Sequence, residues 1–142
     1  MKMTGAALLI LLVFALAACQ PAAVAVTPER IETEGGFYQN ISADGLNRMM
    51  DDKNFLLVNV HIPYEGDVPG TDLSIPYDQV TEPAYLSQLP ANKDDRIVLY
   101  CRSDRMSTIA AEELVKLGYT DVWNLEGGMV EWEQAGYPLE GN

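Results

Sequence analysis

Residues 96–107 read RIVLYCRSDRMS, and the change of character at Cys101 decides how the rest of the chain is arranged. Ile97, Val98, Leu99 and Tyr100 form an unbroken apolar and aromatic run, the pattern of a short strand buried on both faces. From Ser107 to Leu117 the residues Ile109, Ala110, Leu114, Val115 and Leu117 recur at helical spacing, which predicts a helix. Cys101 therefore stands at the carboxyl end of a strand, in a loop that opens a helix. Open α/β sheets place their ligands there. A helix amino end gathers free backbone N–H groups and the positive end of the dipole, which together favour a thiolate or a small anion. Arg102 and Arg105 lie in the same loop and add positive charge.

Working outward, strand and helix patterns alternate. Phe37 to Ile41 reads as a short strand, and Ser42 caps a brief helix whose Leu46, Met49 and Met50 share a face, weakened by Gly45. Phe55 to Val60 is a second buried strand, Ile62 to Gly70 a Pro- and Gly-rich loop, and Asp72 to Pro76 a returning strand. Tyr77 to Leu89 is weakly helical, with Pro83 disturbing its first turns. Downstream, Gly118 ends the central helix and Val122 to Leu125 gives a last strand. Gly127 and Gly128 supply backbone freedom beside the Cys101 loop, and Met129 to Ala135 forms a terminal helix that buries Trp132. The alternation, without an internal repeat, predicts one α/β domain over residues 36–142, with a mainly parallel sheet of about five strands flanked by helices.

The amino-terminal stretch has a different character. Lys2 precedes an apolar run from Ala6 to Ala18, short of the roughly 20 residues that span a bilayer and suited to a signal-peptide core. Leu16, Ala17, Ala18 and Cys19 resemble a bacterial lipobox. That resemblance implies removal of residues 1–18, acylation of Cys19, and an extracytoplasmic protein held by lipid to the cell membrane or outer membrane. Gln20 is similar to an outer-membrane sorting signal in a Gram-negative host, where the domain would face the periplasm. Residues 19–35, rich in Pro, Ala, Glu and Gly, read as a flexible tether.

With 48% hydrophobic and 21% charged residues, the 142-residue chain can bury a substantial core. Its formal charge of −12 argues against a nucleic-acid partner. Loss of Lys2 with the first 18 residues makes the charge one unit more negative. The loop is thus a positive spot on an acidic body, able to attract a small anion. The two cysteines, Cys19 and Cys101, form neither a C-x-x-C pair nor a ligand cluster, so the reading includes no disulfide, metal site or cofactor. His61 is the only histidine and reads as a hydrogen-bonded structural or rim residue.

The loop CRSDRMS, with its strand before and helix after, resembles the active-site loop of rhodanese-like sulfurtransferases. Residues 56–77, LLVNVHIPYEGDVPGTDLSIPY, resemble a variant of the family's Asp-Val-Arg stretch with its Gly-His-Ile-Pro-Gly-like turn and Ile-Pro pair. Residues 124–132, NLEGGMVEW, are similar to the family's Gly-Gly-x-x-x-Trp signature. Altogether the likeness covers about residues 36 to 140. It implies that Cys101 takes a sulfane sulfur from thiosulfate or a similar donor as a persulfide. A thiol or cyanide acceptor then removes it, and a protein acceptor is allowed. Arg102, Ser103, Asp104, Arg105, Met106 and Ser107 would form the substrate-binding loop, the two arginines holding the oxyanion part of the donor.

The chain departs from the family pattern at three places. Asn59 and His61 stand where the family usually has Asp and Arg, and Asp104 stands where similar loops usually have glycine. These departures leave open a catalytically weak or inactive rhodanese-like lipoprotein that binds or senses sulfide. Aspartate tolerates left-handed backbone angles, so the loop fold survives. Its carboxylate is expected beside the anion site, opposing thiosulfate and partly neutralising Arg102 or Arg105. The related phosphatase pattern C-x5-R does not fit, because Ser107 occupies its arginine position and Arg105 falls two residues early.

Overall fold

The computed structural model describes residues 26–141, so the expected signal segment 1–18 and the expected lipidation site Cys19 lie outside the described residues. The strands are β1 (Glu29–Thr33), β2 (Gly36–Ile41), β3 (Leu56–Asn59), β4 (Leu73–Ser74), β5 (Ile97–Tyr100) and β6 (Val122–Leu125). They form one sheet in the order β1–β2–β6–β5–β3–β4, parallel throughout except that β1 runs antiparallel to β2. The helices are α1 (Ala43–Met50), α2 (Pro83–Leu86), α3 (Arg105–Lys116) and α4 (Gly128–Gln134).

Strand β5 shows why the apolar run organises the fold. All four of its residues are fully buried, and they alternate between the sheet's two faces. Ile97 and Leu99, continued by Cys101, join Ala110, Ala111, Leu114 and Val115 of α3 in one core cluster. Val98 and Tyr100 join Leu46, Met129 and Trp132 of α1 and α4 in the other. Each large side chain so buried contributes on the order of 1.5–3 kcal/mol relative to exposure. The sheet is a middle layer between two helical layers, and its parallel strands all end on the edge that carries Cys101.

The structure corrects the reading in four places. The sheet has six strands instead of about five, because the supposed tether 19–35 contains β1. A hairpin turn with Gly35 at φ 90° folds β1 onto β2, Ile31 packs on the core, and the Arg30 guanidinium lies 3.4 Å from the centre of the Phe37 ring. The weakly helical Tyr77–Leu89 splits into a 3-10 turn over Tyr77–Gln79 and α2, whose first residue is Pro83, where a missing N–H costs nothing. The returning strand shortens to the two residues of β4. Helix α3 starts at Arg105, two residues earlier than the apolar spacing marks.

Candidate active site

Cys101 follows β5 directly and is 2% exposed. The next three residues turn sharply, with Asp104 at φ 84°, the one non-glycine with positive φ among the described residues. Thr108 N–H to Asp104 carbonyl is the first bond of α3. The backbone N–H groups of Arg102 to Ser107 thus stay without a partner among the described residues, at the positive end of the helix dipole and directly after the cysteine. Ser107 is fully buried, and its Oγ lies 3.4 Å from Cys101 Sγ and 3.0 Å from the Asp104 carbonyl oxygen. A hydroxyl has one proton, so donation to the sulfur competes with donation to that carbonyl and gains when the sulfur is charged.

The other predicted site residues divide. Ser103 is exposed, and Met106 is half-buried against the core. Arg105 is exposed on the first turn of α3, with no ion-pair partner among the described residues. Arg102 is also exposed, but its Nη1 donates to Glu65 Oε2 at 3.0 Å. The same carboxylate oxygen lies 2.8 Å from His61 Nε2. The hydrogen bond to His61 and then that from Arg102 hold the Glu65 carboxyl below its usual range. Among the described residues, the loop thus has one arginine, Arg105, without an ion-pair partner.

Asp104 was expected beside the arginines, and the structure places its carboxylate elsewhere. Oδ1 and Oδ2 accept from the Gly127 N–H at 2.9 and 2.8 Å, and Oδ1 accepts from Asn124 Nδ2 at 3.0 Å. Asn124 is fully buried on β6, and its Nδ2 also donates to Asn40 Oδ1 at 3.0 Å. The charge that seemed a hindrance to an anion is therefore tied to the turn between β6 and α4. That turn presses on the loop from below. Met129 and Val130 N–H donate to the carbonyls of Cys101 and Arg102 at 3.0 and 3.1 Å, and a Cβ on Gly128 would lie 2.3 Å from the Cys101 oxygen. Gly128, at φ 57°, is glycine because backbone meets backbone there.

Asn59 has an equally local reason. Its Nδ2 donates to the Gly66 carbonyl and to Asp67 Oδ1, both at 2.9 Å, while its Oδ1 accepts from the His61 N–H at 2.9 Å. A carboxylate could not donate to either acceptor, and here Asp67 supplies the negative charge. The Tyr100 hydroxyl donates to Asp67 Oδ1 at 3.0 Å and accepts from Val68 N–H at 3.0 Å, and its burial pushes the phenol well above its usual range. His61 is buried beside this brace, with Nδ1 unpartnered among the described residues. The sequence marked Cys101, the arginines, Ser107 and the two glycines. It gave no sign of Glu65, an exposed charge in an irregular loop, or of Asn124 as partner to Asp104.

Comparison with known proteins agrees with this geometry. The description of the Rhodanese-like domain family matches residues 42–135. A protein of Allochromatium vinosum named "Sulfurtransferase" is 35% identical over 95 residues, which are 65% of this chain and 84% of that protein. The tRNA uridine(34) hydroxylase of Escherichia coli is 31% identical over 96 residues, 65% of this chain but only 27% of the hydroxylase. Among solved structures, a rhodanese-like domain protein from Staphylococcus aureus superposes with a TM-score of 0.57 at 27% identity, covering 72% of this chain and 98% of that one.

Proposed function

The chain belongs to the Rhodanese-like domain family, and from that premise we propose that it is a sulfurtransferase working through a persulfide on Cys101. The observation that carries the reading is the row of unpartnered N–H groups from Arg102 to Ser107 at the amino end of α3, directly after Cys101. The Cys101 thiolate attacks the outer sulfur of thiosulfate or a similar donor. The donor's S–S bond breaks, sulfite leaves with the electron pair, and Cys101 keeps the outer sulfur as a persulfide. An acceptor thiolate or cyanide then attacks that outer sulfur and returns Cys101 as thiolate. Loop N–H groups and the Ser107 hydroxyl stabilise the negative sulfur, and Arg105 holds the departing oxyanion. Arg102 joins only after leaving Glu65.

We also propose that the mature protein begins at an acylated Cys19 and works outside the cytoplasm on a bacterial membrane. The support is the lipobox-like Leu16 to Cys19 after a short apolar run. No helix among the described residues is long and apolar enough to cross a membrane.

One observation favours a second reading. Cys101 is 2% exposed and one of its two arginines is already paired, which suits a domain that binds or senses sulfide with little turnover. Intact-mass measurement separates the two. Exposure to thiosulfate is expected to add one sulfur, which cyanide then removes. A mass that thiosulfate leaves unchanged would defeat the sulfurtransferase reading.

A further inference from the structure

The chain enters the sheet on the edge that carries Cys101. The register sets Glu29 opposite Asn40, Asn40 opposite Asn124, and Asn124 opposite Leu99. Glu29 therefore shares a row with Leu99, two residues before Cys101. Because β1 runs antiparallel to its neighbour, the residues preceding Glu29 continue toward the carboxyl ends of the parallel strands. There Val26 packs, half-buried, on the cluster that contains Ile41, Leu125, Met129 and Trp132. Only residues 20–25 lie between Cys19 and this fixed point. Seven extended steps reach about 25 Å, less than the ~35 Å breadth of a domain of this size.

Resting on the acylation of Cys19 proposed above, we propose that the anchor holds the Cys101 edge toward the bilayer and that the sulfur acceptor is a cysteine thiol on a membrane-held protein. A tether shorter than the domain and attached at the active edge leaves that edge no means of turning fully away. A bulky soluble protein would have to enter a gap of at most about 25 Å, whereas a membrane-held partner already stands in it. Bare lipid is the wrong occupant. The full chain carries −12, one unit more negative once Lys2 is removed, and a cavity of about 380 Å³ beside the loop is lined by Asp104, Glu126 and Glu131, charges that an anionic lipid surface repels. The acceptor thiolate attacks the outer sulfur of the Cys101 persulfide, the persulfide S–S bond breaks, and Cys101 leaves as thiolate. No oxidant or reductant is consumed.

The test uses the acylated protein on phosphatidylcholine vesicles carrying a fluorescent headgroup as energy acceptor. In a Cys101→Ser background, a donor dye sits on Glu126→Cys at the active edge or on Asn92→Cys at the opposite edge. Transfer is expected about two-fold or more higher from position 126. Inserting roughly twenty Gly and Ser residues after Ala23 should bring the two values together. Equal or reversed efficiencies with the natural tether overturn the orientation, and a difference that survives the insertion overturns the tether as its cause. Protein that does not bind vesicles overturns the anchoring itself.

A separate measurement, with Cys101 intact, follows sulfur passing to a cysteine peptide carried on a vesicle lipid or free in solution at equal overall concentration. The vesicle-held peptide should react about ten-fold faster, through effective concentration. Equal rates overturn the membrane-held acceptor. Failure to load Cys101 with sulfur would overturn the sulfurtransferase reading and leave the orientation measurement intact.

Discussion

The two flanks of the Cys101 loop are built on opposite principles. On the inner flank, Asp104 reaches the Gly127 N–H and the fully buried Asn124 amide, and α4 donates to the carbonyls of Cys101 and Arg102. On the outer flank, Arg102 meets Glu65 through side chains that are 55% and 39% exposed. Buried bonds are costly to leave unmade, whereas exposed ion pairs are screened and readily exchanged. The inner flank therefore fixes the shape of the loop, and the outer flank holds a charge in reserve. The carboxylate that looked harmful from its position in the loop is part of the scaffold, and the one that pairs with an arginine comes from another segment.

The largest effect should come from pressing on the inner flank where it has no slack. Gly128→Ala places a methyl against the Cys101 and Arg102 carbonyl groups at a left-handed residue. It should cost about 3 kcal/mol, summing left-handed strain and overpacking. Chemical denaturation measures this, and sulfur loading of Cys101 should fall with it. A variant as stable as the parent would show that α4 does not brace the loop.

A second test separates the hydrogen bonds of Asp104 from its backbone strain. Asp104→Ala keeps the positive φ without its partners and leaves the Asn124 amide and the Gly127 N–H short of an acceptor, for a loss of about 2 kcal/mol. Asp104→Gly loses the same bonds but relieves the backbone, so it should be about 1 kcal/mol more stable than the alanine variant. Equal denaturation midpoints for the two variants would remove strain from the account. Midpoints equal to the parent would remove the latch as well.

The contrast between flanks also shows what the sequence could disclose. Strand β5, Cys101 and α3 were legible because each follows from neighbours in the chain: an apolar run, its end, and a 3.6-residue period. The inner latch joins residues 20 and 23 positions apart and the outer pair residues 37 apart, and no local pattern encodes such contacts. Strand β1 escaped for another reason. Its sequence ERIET offers only Ile31 to the core, so an edge strand of this composition reads as a polar linker until its partner is seen. Asn59 and Asp104 looked like losses against the family pattern, and both are the residues their surroundings require.

The smallest effect on the fold, and the most specific for function, belongs to the outer flank. Glu65→Gln leaves an acceptor for His61 but removes the charge that holds Arg102. An exposed pair of this kind contributes little to stability, so the denaturation midpoint should not move. The apparent KM for thiosulfate should fall about two- to three-fold at low salt, with kcat unchanged, and the gain should shrink as salt screens the freed arginine. An unchanged or higher KM would mean that Arg102 does not reach the donor even when free. Acid offers a second route to the same state. Hydrogen bonding from His61, and then from Arg102, lowers the Glu65 carboxyl below its ordinary 4.5. The interaction is therefore complete above that value and is lost only as pH falls further, through the lowered folded value. At neutral pH Glu65 stays charged and Arg102 stays held. Only below pH 4.5 should the parent's KM approach that of Glu65→Gln. A convergence of the two KM values at neutral pH would assign the control of Arg102 to a group other than Glu65.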